Sequence, residues 1–207
     1  MPTVPCELER LTLSKASDPV LRRRVREHGV REGSRIYLEG LRWPDGPSCP
    51  RCDSTRILWL QERRKYHCAA CKYQFRVTAG TRMHLSHLPG WKWLIGIELM
   101  MSAPDGLPAT QLQKLLGGSY KTSWFLEHRI RAALPRAGAA DVENLTPGRA
   151  HHRTDPGYRN AYLAEASWRA ARRNPTYRFR ATVQALLEAE PLSWNQLVNS
   201  SQCSTRR

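Results

Sequence analysis

The chain has no long apolar run. Its most apolar window, Trp91 to Ala103, is interrupted by Lys92 and Glu98 and falls far short of the ~20 residues that a membrane-spanning helix needs. Met1-Pro2-Thr3-Val4-Pro5 shows no basic segment leading into an apolar one, so no signal peptide is expected and the location implied is cytoplasmic. The phosphate-cradling patterns G-x-x-x-x-G-K-[ST] and G-x-G-x-x-G are missing, as is the nucleophile elbow G-x-S-x-G. That removes the common nucleotide-binding and hydrolase signatures. Internal repeats and low-complexity tracts are also absent. Acidic residues are scarce, 18 against 33 lysines and arginines, for a formal charge of +15. Such an excess points to a polyanionic partner, most simply nucleic acid, and the chain is expected to bind double-stranded DNA and no membrane. It is unevenly placed. Residues 46–100 carry nine basic and three acidic side chains, and residues 135–207 eleven and six.

Cysteines are few, six in all, but four of them are patterned. Cys49-Pro50-Arg51-Cys52 and Cys68-Ala69-Ala70-Cys71 form two C-x-x-C pairs separated by fifteen residues. This spacing suits a tetrahedral Cys₄ site for structural Zn²⁺, each pair supplying two thiolates. Two disulfides or plain buried thiols are the alternative, but disulfide frameworks belong to small secreted chains. Ile57 to Leu60 and Lys65 to His67 read as a hairpin turning at Gln61 to Arg64, with Gln74 to Thr78 as a third strand. Together these make a zinc ribbon. Cys6 and Cys203 lack ligand spacing and are expected to be reduced thiols.

Asp18-Pro19 is a helix start. Val20, Leu21 and Val25 form its apolar side, and His28-Gly29 its end. A second helix is predicted from Glu32 to Leu41, burying Ile36 and Leu41, with Tyr37 as a further candidate. Beyond the ribbon, Trp93, Leu94, Ile97 and Met101 share one helical face. Leu112, Leu115 and Leu116 define another helix, Gly117-Gly118 a tight turn, and Ser119 the N-cap of a third helix that stops at Pro135. Ser123, Leu126, Ile130 and Leu134 lie on one side of this third helix. The layout is helix–turn–helix, a motif that enters the major groove by its second helix. It places Ser119, Tyr120, Lys121 and Thr122 against DNA. Ala137 to Ala140 and Thr146-Pro147-Gly148 mark a linker. After it come a helix carrying Tyr158, Ala161, Tyr162, Glu165 and Trp168 that stops at Asn174-Pro175, another from about Arg180 to Glu190, and a short last one from Trp194.

Tyr37 to Gly46, Cys49-Pro50-Arg51-Cys52, Phe75 to Thr81, Leu88-Pro89-Gly90-Trp91-Lys92-Trp93, Tyr120 to Trp124 and His128-Arg129-Ile130-Arg131 occur in order. Over about 32–134 the chain thereby resembles bacterial insertion-sequence transposases with a zinc ribbon ahead of a helix-turn-helix and an RNase-H-like DDE domain. Gly148 to His152, Tyr162 to Glu165 and Arg172-Arg173 resemble the C-terminal end of the same transposases. The resemblance implies DNA contacts from His128, Arg129 and Arg131, and from Arg63, Arg64 and Lys65 of the ribbon. It also implies a bacterial, nucleoid-associated protein, with a homo-oligomer or larger nucleoprotein assembly as a possible partner. Two positions depart from the family pattern. Gly118 stands where an aliphatic residue usually packs. Glu127 falls near the core side, so it must reach solvent or a basic partner.

The fold class expected is α+β, mostly α, with the Cys₄ ribbon followed by the helix-turn-helix and a helical C-terminal tail. Residues 1–45 would be N-terminal helices, 46–82 the ribbon, 83–135 the DNA-binding domain, 136–150 the linker and 151–207 the tail. Strand transfer in the family uses three carboxylates holding two Mg²⁺ ions, on a sheet of on the order of 100 residues. Here only sixteen residues separate Leu134 from His151, with Asp141 and Glu143 their acids. Asp155, Glu165, Glu188 and Glu190 sit in helical contexts. The resulting expectation is a transposase-derived DNA-binding protein without a competent catalytic core, and no catalytic residue of its own, serving as regulator, inhibitor or targeting subunit. The alternatives are a truncated or split transposase using another chain's acids, and a zinc-ribbon adaptor for protein or RNA.

Overall fold

The computed structural model of the protein describes residues 12–104, 106–135 and 158–199. Helix α1, Pro19–Arg42, starts as the sequence predicts. The Asp18 carboxylate accepts from the amides of Val20 at 2.7 Å and Leu21 at 3.4 Å, with Pro19 in the first turn. At Gly29 the backbone turns to φ 76°, ψ 169°, a conformation that costs glycine little. The two predicted helices are therefore halves of one sharply bent element. After the bend the second half lies directly on the first. A Cβ at Gly33 would meet the Arg24 carbonyl oxygen at 2.4 Å and the Val25 Cα at 2.7 Å.

The buried side of the second half is Tyr37 and Leu38, whereas the expected Ile36 and Leu41 are only half-buried. Asp18 is the reason. The Tyr37 hydroxyl donates to its Oδ2 at 2.9 Å, and Arg180 reaches the same carboxylate through Nε at 2.9 Å and Nη2 at 3.2 Å. Burial alone would raise the Asp18 pKa, but donation from Arg180, Tyr37 and the Val20 amide holds it below its ordinary value.

Strands β1 (Ile57–Leu60), β2 (Lys65–Cys68) and β3 (Gln74–Phe75) form an antiparallel sheet in the order β1-β2-β3, with Ile57 opposite Cys68 and Tyr66 opposite Phe75. The third strand ends at Phe75, short of Thr78. Val77 leaves the sheet to join the helical core, and its carbonyl accepts from Arg42.

Helix α2, Gly90–Ser102, is buried on nearly every side: Trp91, Trp93, Leu94, Ile95, Ile97, Met100 and Met101 are all inside. A single apolar face was expected. The helix packs against α1, against α3 (Ala109–Leu116), against α4 (Tyr120–Ala133) and against α6 (Pro175–Glu188). Gly117 and Gly118 link α3 to α4 at φ 69° and 94°. Ser119 then caps α4 by accepting from the Thr122 amide. The predicted Ser123, Leu126, Ile130 and Leu134 side is buried.

Helices α5 (Arg159–Ala171), α6 and α7 (Trp194–Asn199) complete the described chain. Helix α6 begins five residues before the expected Arg180. Asn174 accepts from the Tyr177 amide at 3.0 Å and Pro175 fills the first turn, so this pair opens a helix. The C-terminal helices are no separate tail. Trp168, Phe179, Val183 and Leu186 share one core with Leu21, Leu38, Trp93 and Leu126, so the expected units 1–45, 83–135 and 151–207 meet in a common interior. The ribbon, expected at 46–82, keeps its own small cluster around Cys49, Cys68, Phe75 and Ala79. The linker 136–150, with Asp141 and Glu143, lies outside the described residues, as do His151, His152, Asp155, Cys6 and Cys203.

The bend supplies a test. Gly33→Ala drives a methyl group into backbone atoms and should cost about 3 kcal/mol. Gly40→Ala, on the same helix with nothing within 4 Å of the added carbon, should be neutral or slightly stabilising. Equal denaturation midpoints for the two variants would contradict the close crossing.

Candidate metal centre and nucleic-acid interface

The four cysteine sulfurs converge, all within 4.8 Å of one another. Cys49 Sγ lies 3.6 Å from Cys71 Sγ, and Cys52 Sγ 3.6 Å from Cys68 Sγ. A disulfide needs about 2.05 Å, so neither pair is bonded. Zinc at ~2.3 Å from each of four tetrahedral sulfurs sets them ~3.8 Å apart, which fits. Each pair sits in the same turn. The amides of Asp53 and Lys72 return to the carbonyls of Cys49 and Cys68 at 2.9 Å, and both residues take left-handed backbone, φ 55° and 62°. The amides of Cys71 and Ala70 also face the Cys68 sulfur, and this donation lowers its pKa to about 6. Trp43 stands edge-on to Tyr66 and Phe75, with ring centroids 5.4 and 6.0 Å away, and closes one side. Four sulfur donors leave no open position for water, so the zinc is structural. His67 adjoins Cys68 but is no part of the cluster. Among the described residues no other group of three or more such side chains converges.

The residues expected to meet DNA divide into two sets. Tyr120 is 49% exposed and Lys121 is also exposed. Ser119 and Thr122 are committed to the cap, their hydroxyls 2.8 Å apart. Arg63 is exposed at the hairpin turn, Arg64 beside it pairs with Glu32, and Lys65 is half-buried. His128, Arg129 and Arg131, by contrast, are buried, which corrects the expectation that they face outward. The cause is α5 and α7, which cover the side of α4 that a three-helix layout leaves open. His128 stacks on Trp124 at 4.1 Å and meets Tyr158 at 4.7 Å. Arg129 donates to the carbonyls of Arg82 at 3.1 Å, His84 at 2.7 Å and Leu192 at 2.5 Å. Burial, with Arg82 nearby, lowers its pKa to about 10. Trp194 of α7 packs on Trp124 and Phe125, and its ring lies 4.7 Å from the Lys121 ammonium.

Arg131 lies under α5 between two acids. It pairs with Glu127 at 2.9 Å and donates from Nε to Glu165 at 2.6 Å, and Arg169 extends the chain to Glu165 at 3.6 Å. This is the basic partner that Glu127 requires. Unlike charges four apart at 127/131 and 165/169 signal it within each helix, but not the pairing between the helices.

The ribbon places this chain in a known class of domain. Residues 32–74, from the second half of α1 to the start of β3, match the transposase zinc-ribbon domain. The match covers 43 of the chain's 207 residues, so the similarity is that of the domain. No curated protein and no solved structure matches the chain. No helix among the described residues is long and apolar enough to cross a membrane.

Two outcomes follow. Zinc content by elemental analysis should be one per chain, unchanged in Cys6→Ser and Cys203→Ser. Cys49→Ser combined with Cys68→Ser should abolish it, and chelation should unfold the ribbon, because metal and fold are coupled. The second concerns pH. Burial raises the Glu127 pKa from 4.5 to about 7, Arg131 opposing it and Glu165 adding to it. The folded state then holds a proton that the unfolded state has released. The stability that this group contributes is full below about pH 4.5 and lost as pH rises through about 7, up to about 3 kcal/mol. Glu127→Gln should flatten the fall in unfolding free energy between pH 5 and 8. An unchanged slope would show that Glu127 is ionised throughout.

Proposed function

We propose that the protein is a transposase-derived DNA-binding protein without a competent DDE centre, acting as regulator, inhibitor or targeting subunit. The observation that carries this reading is the transposase zinc ribbon at 32–74 on a chain of formal charge +15. Helices α3 and α4 serve as the helix-turn-helix. Tyr120 and Lys121, exposed on the first turn of α4, meet the duplex there, where such motifs contact base edges and phosphates. Arg63 at the hairpin tip adds a phosphate contact.

Catalysis would need carboxylates fixed around two metal ions on a rigid scaffold. Among the described acids of the C-terminal part, Glu165 is committed to Arg131, and Glu188 at the end of α6 and Glu190 just past it are solvent-exposed. That favours binding without strand transfer.

The test is titration of duplex DNA across salt concentrations, followed by incubation with Mg²⁺ or Mn²⁺. Affinity should fall steeply with salt as phosphate contacts release counterions. Lys121→Ala should weaken binding and reduce the salt slope by about one unit, and Tyr120→Ala should alter sequence preference. No nicks should form with either metal. Cleavage abolished by Asp141→Ala or Glu143→Ala would refute the non-catalytic assignment.

A further inference from the structure

A cleft of about 130 Å³ opens between the second half of α1, the hairpin and the segment leading into α2. Four arginines line it: Arg31, Arg35, Arg64 and Arg76. Two are already neutralised. Arg35 bridges Glu32 and Glu39 and lies 4.6 Å from the centroid of the Trp59 ring, and Arg64 pairs with Glu32. Glu39 lies within the cleft, and burial raises its pKa against the pull of Arg35. Arg31 and Arg76 are exposed and make no ion pair among the described residues. They stand on different elements, one on α1 and one just past β3, so they approach the cleft from two sides. Ser86, also in its wall, accepts from the Leu88 amide at 3.1 Å, which leaves the hydroxyl proton to donate. Four guanidinium groups against two carboxylates leave a surplus of positive charge, and guanidinium forks suit phosphate oxygens.

We infer that this cleft seats one backbone phosphate of the DNA, held by Arg31 and Arg76, as a contact separate from the first turn of α4. The inference rests on the DNA-binding reading above and adds a second, ribbon-side footing on the duplex. That footing flanks the matched ribbon, Arg31 preceding residues 32–74 and Arg76 following them.

The experiment compares wild type, Arg31→Ala/Arg76→Ala and Tyr120→Ala/Lys121→Ala as zinc-loaded full chains in duplex DNA titrations. The arginine pair should bind roughly tenfold more weakly at low salt, and its log K against log salt slope should fall by about 0.9, the value for one phosphate. Arg31→Lys/Arg76→Lys should recover the slope. Unchanged affinity and slope in the Arg31→Ala/Arg76→Ala chain, with the Tyr120→Ala/Lys121→Ala chain impaired, would overturn the cleft and leave the DNA-binding reading standing. Absence of duplex binding by wild type would overturn both. A second arm titrates inorganic phosphate alone and follows tryptophan fluorescence. Saturation at micromolar phosphate would assign the cleft to a free anion and overturn the backbone assignment.

Discussion

Burial of α2 on almost all sides is the constraint on which the rest of the described structure depends. A helix presenting Trp91, Trp93, Ile95, Ile97 and Met100 around its circumference cannot be stable with one partner, since each such side chain gains roughly 2–3 kcal/mol only when covered. Four helices therefore surround it, α1, α3, α4 and α6. Two small residues admit the closest of them. A Cβ at Gly96 would stand 2.8 Å from Leu126 of α4, and one at Gly90 2.9 Å from Leu38 of α1. Polar ties then fix the positions. Glu98 accepts from the Ser17 amide at 3.1 Å, Thr176 donates to the Ser17 carbonyl at 2.8 Å, and Lys92 caps the end of α3 at Leu116. The segment ahead of α1 is thus held by α2 and α6 together, elements about 80 and 160 residues away.

The same arrangement constrains how α4 would meet DNA under the proposed function. A helix lying lengthwise in a major groove needs one continuous exposed face. Here α2 and α3 take one side, α5 a second, and Arg129 together with Trp194 of α7 a third. Its exposed residues are Tyr120 and Lys121 in the first turn and Ala132 in the last, so the proposed contact would be by the helix end. Lys121 is divided between the Trp194 ring and solvent, and a phosphate competing for its ammonium must offset a cation–π contact of about 0.5–1 kcal/mol. Among the described residues, Arg63 and Arg76 of the ribbon and Arg31 of α1 carry no such commitment. In the proposed complex, electrostatic attachment would accordingly be weighted toward the ribbon side.

Local signals in the sequence were legible, and pairings between distant elements were not. Asp18-Pro19 and Ser119 cap their helices as their residue types demand, and the two C-x-x-C pairs define the metal site outright. The breaks at Gly29 and at Gly117-Gly118 follow from left-handed backbone. What periodicity cannot convey is what covers a face. Arg129 and Arg131 read as exposed because arginine on a helix usually is. Each is buried against acceptors distant in sequence, Glu165 for Arg131 and the Arg82, His84 and Leu192 carbonyls for Arg129. The partial exposure of Ile36 and Leu41, beside a Tyr37 that is buried as expected, has the same origin. Tyr37 turns inward to reach an aspartate whose other partner is Arg180, which no local pattern connects to it. Asn174-Pro175 was ambiguous in itself, since this pair both stops one helix and opens the next.

The ribbon and the helical body have separate cores, yet they are not independent modules. Trp43 packs against both, meeting Tyr66 and Phe75 on the ribbon side while lying against the helical core on the other. The chain leaves the ribbon through Val77, which is buried among the helices, and Arg42 ties the Val77 carbonyl back to the end of α1. Entry and exit strands of the ribbon are therefore both anchored, within a few residues of the first knuckle and of β3. A flexible tether would let the ribbon sample many orientations and would make binding by ribbon and α4 additive only through effective concentration. Two anchors with a shared tryptophan instead hold the ribbon's arginines at a fixed separation from the first turn of α4. On a rigid duplex that separation would select the register at which both can touch phosphates, so under the proposed function the orientation of the ribbon would be part of how the DNA is gripped.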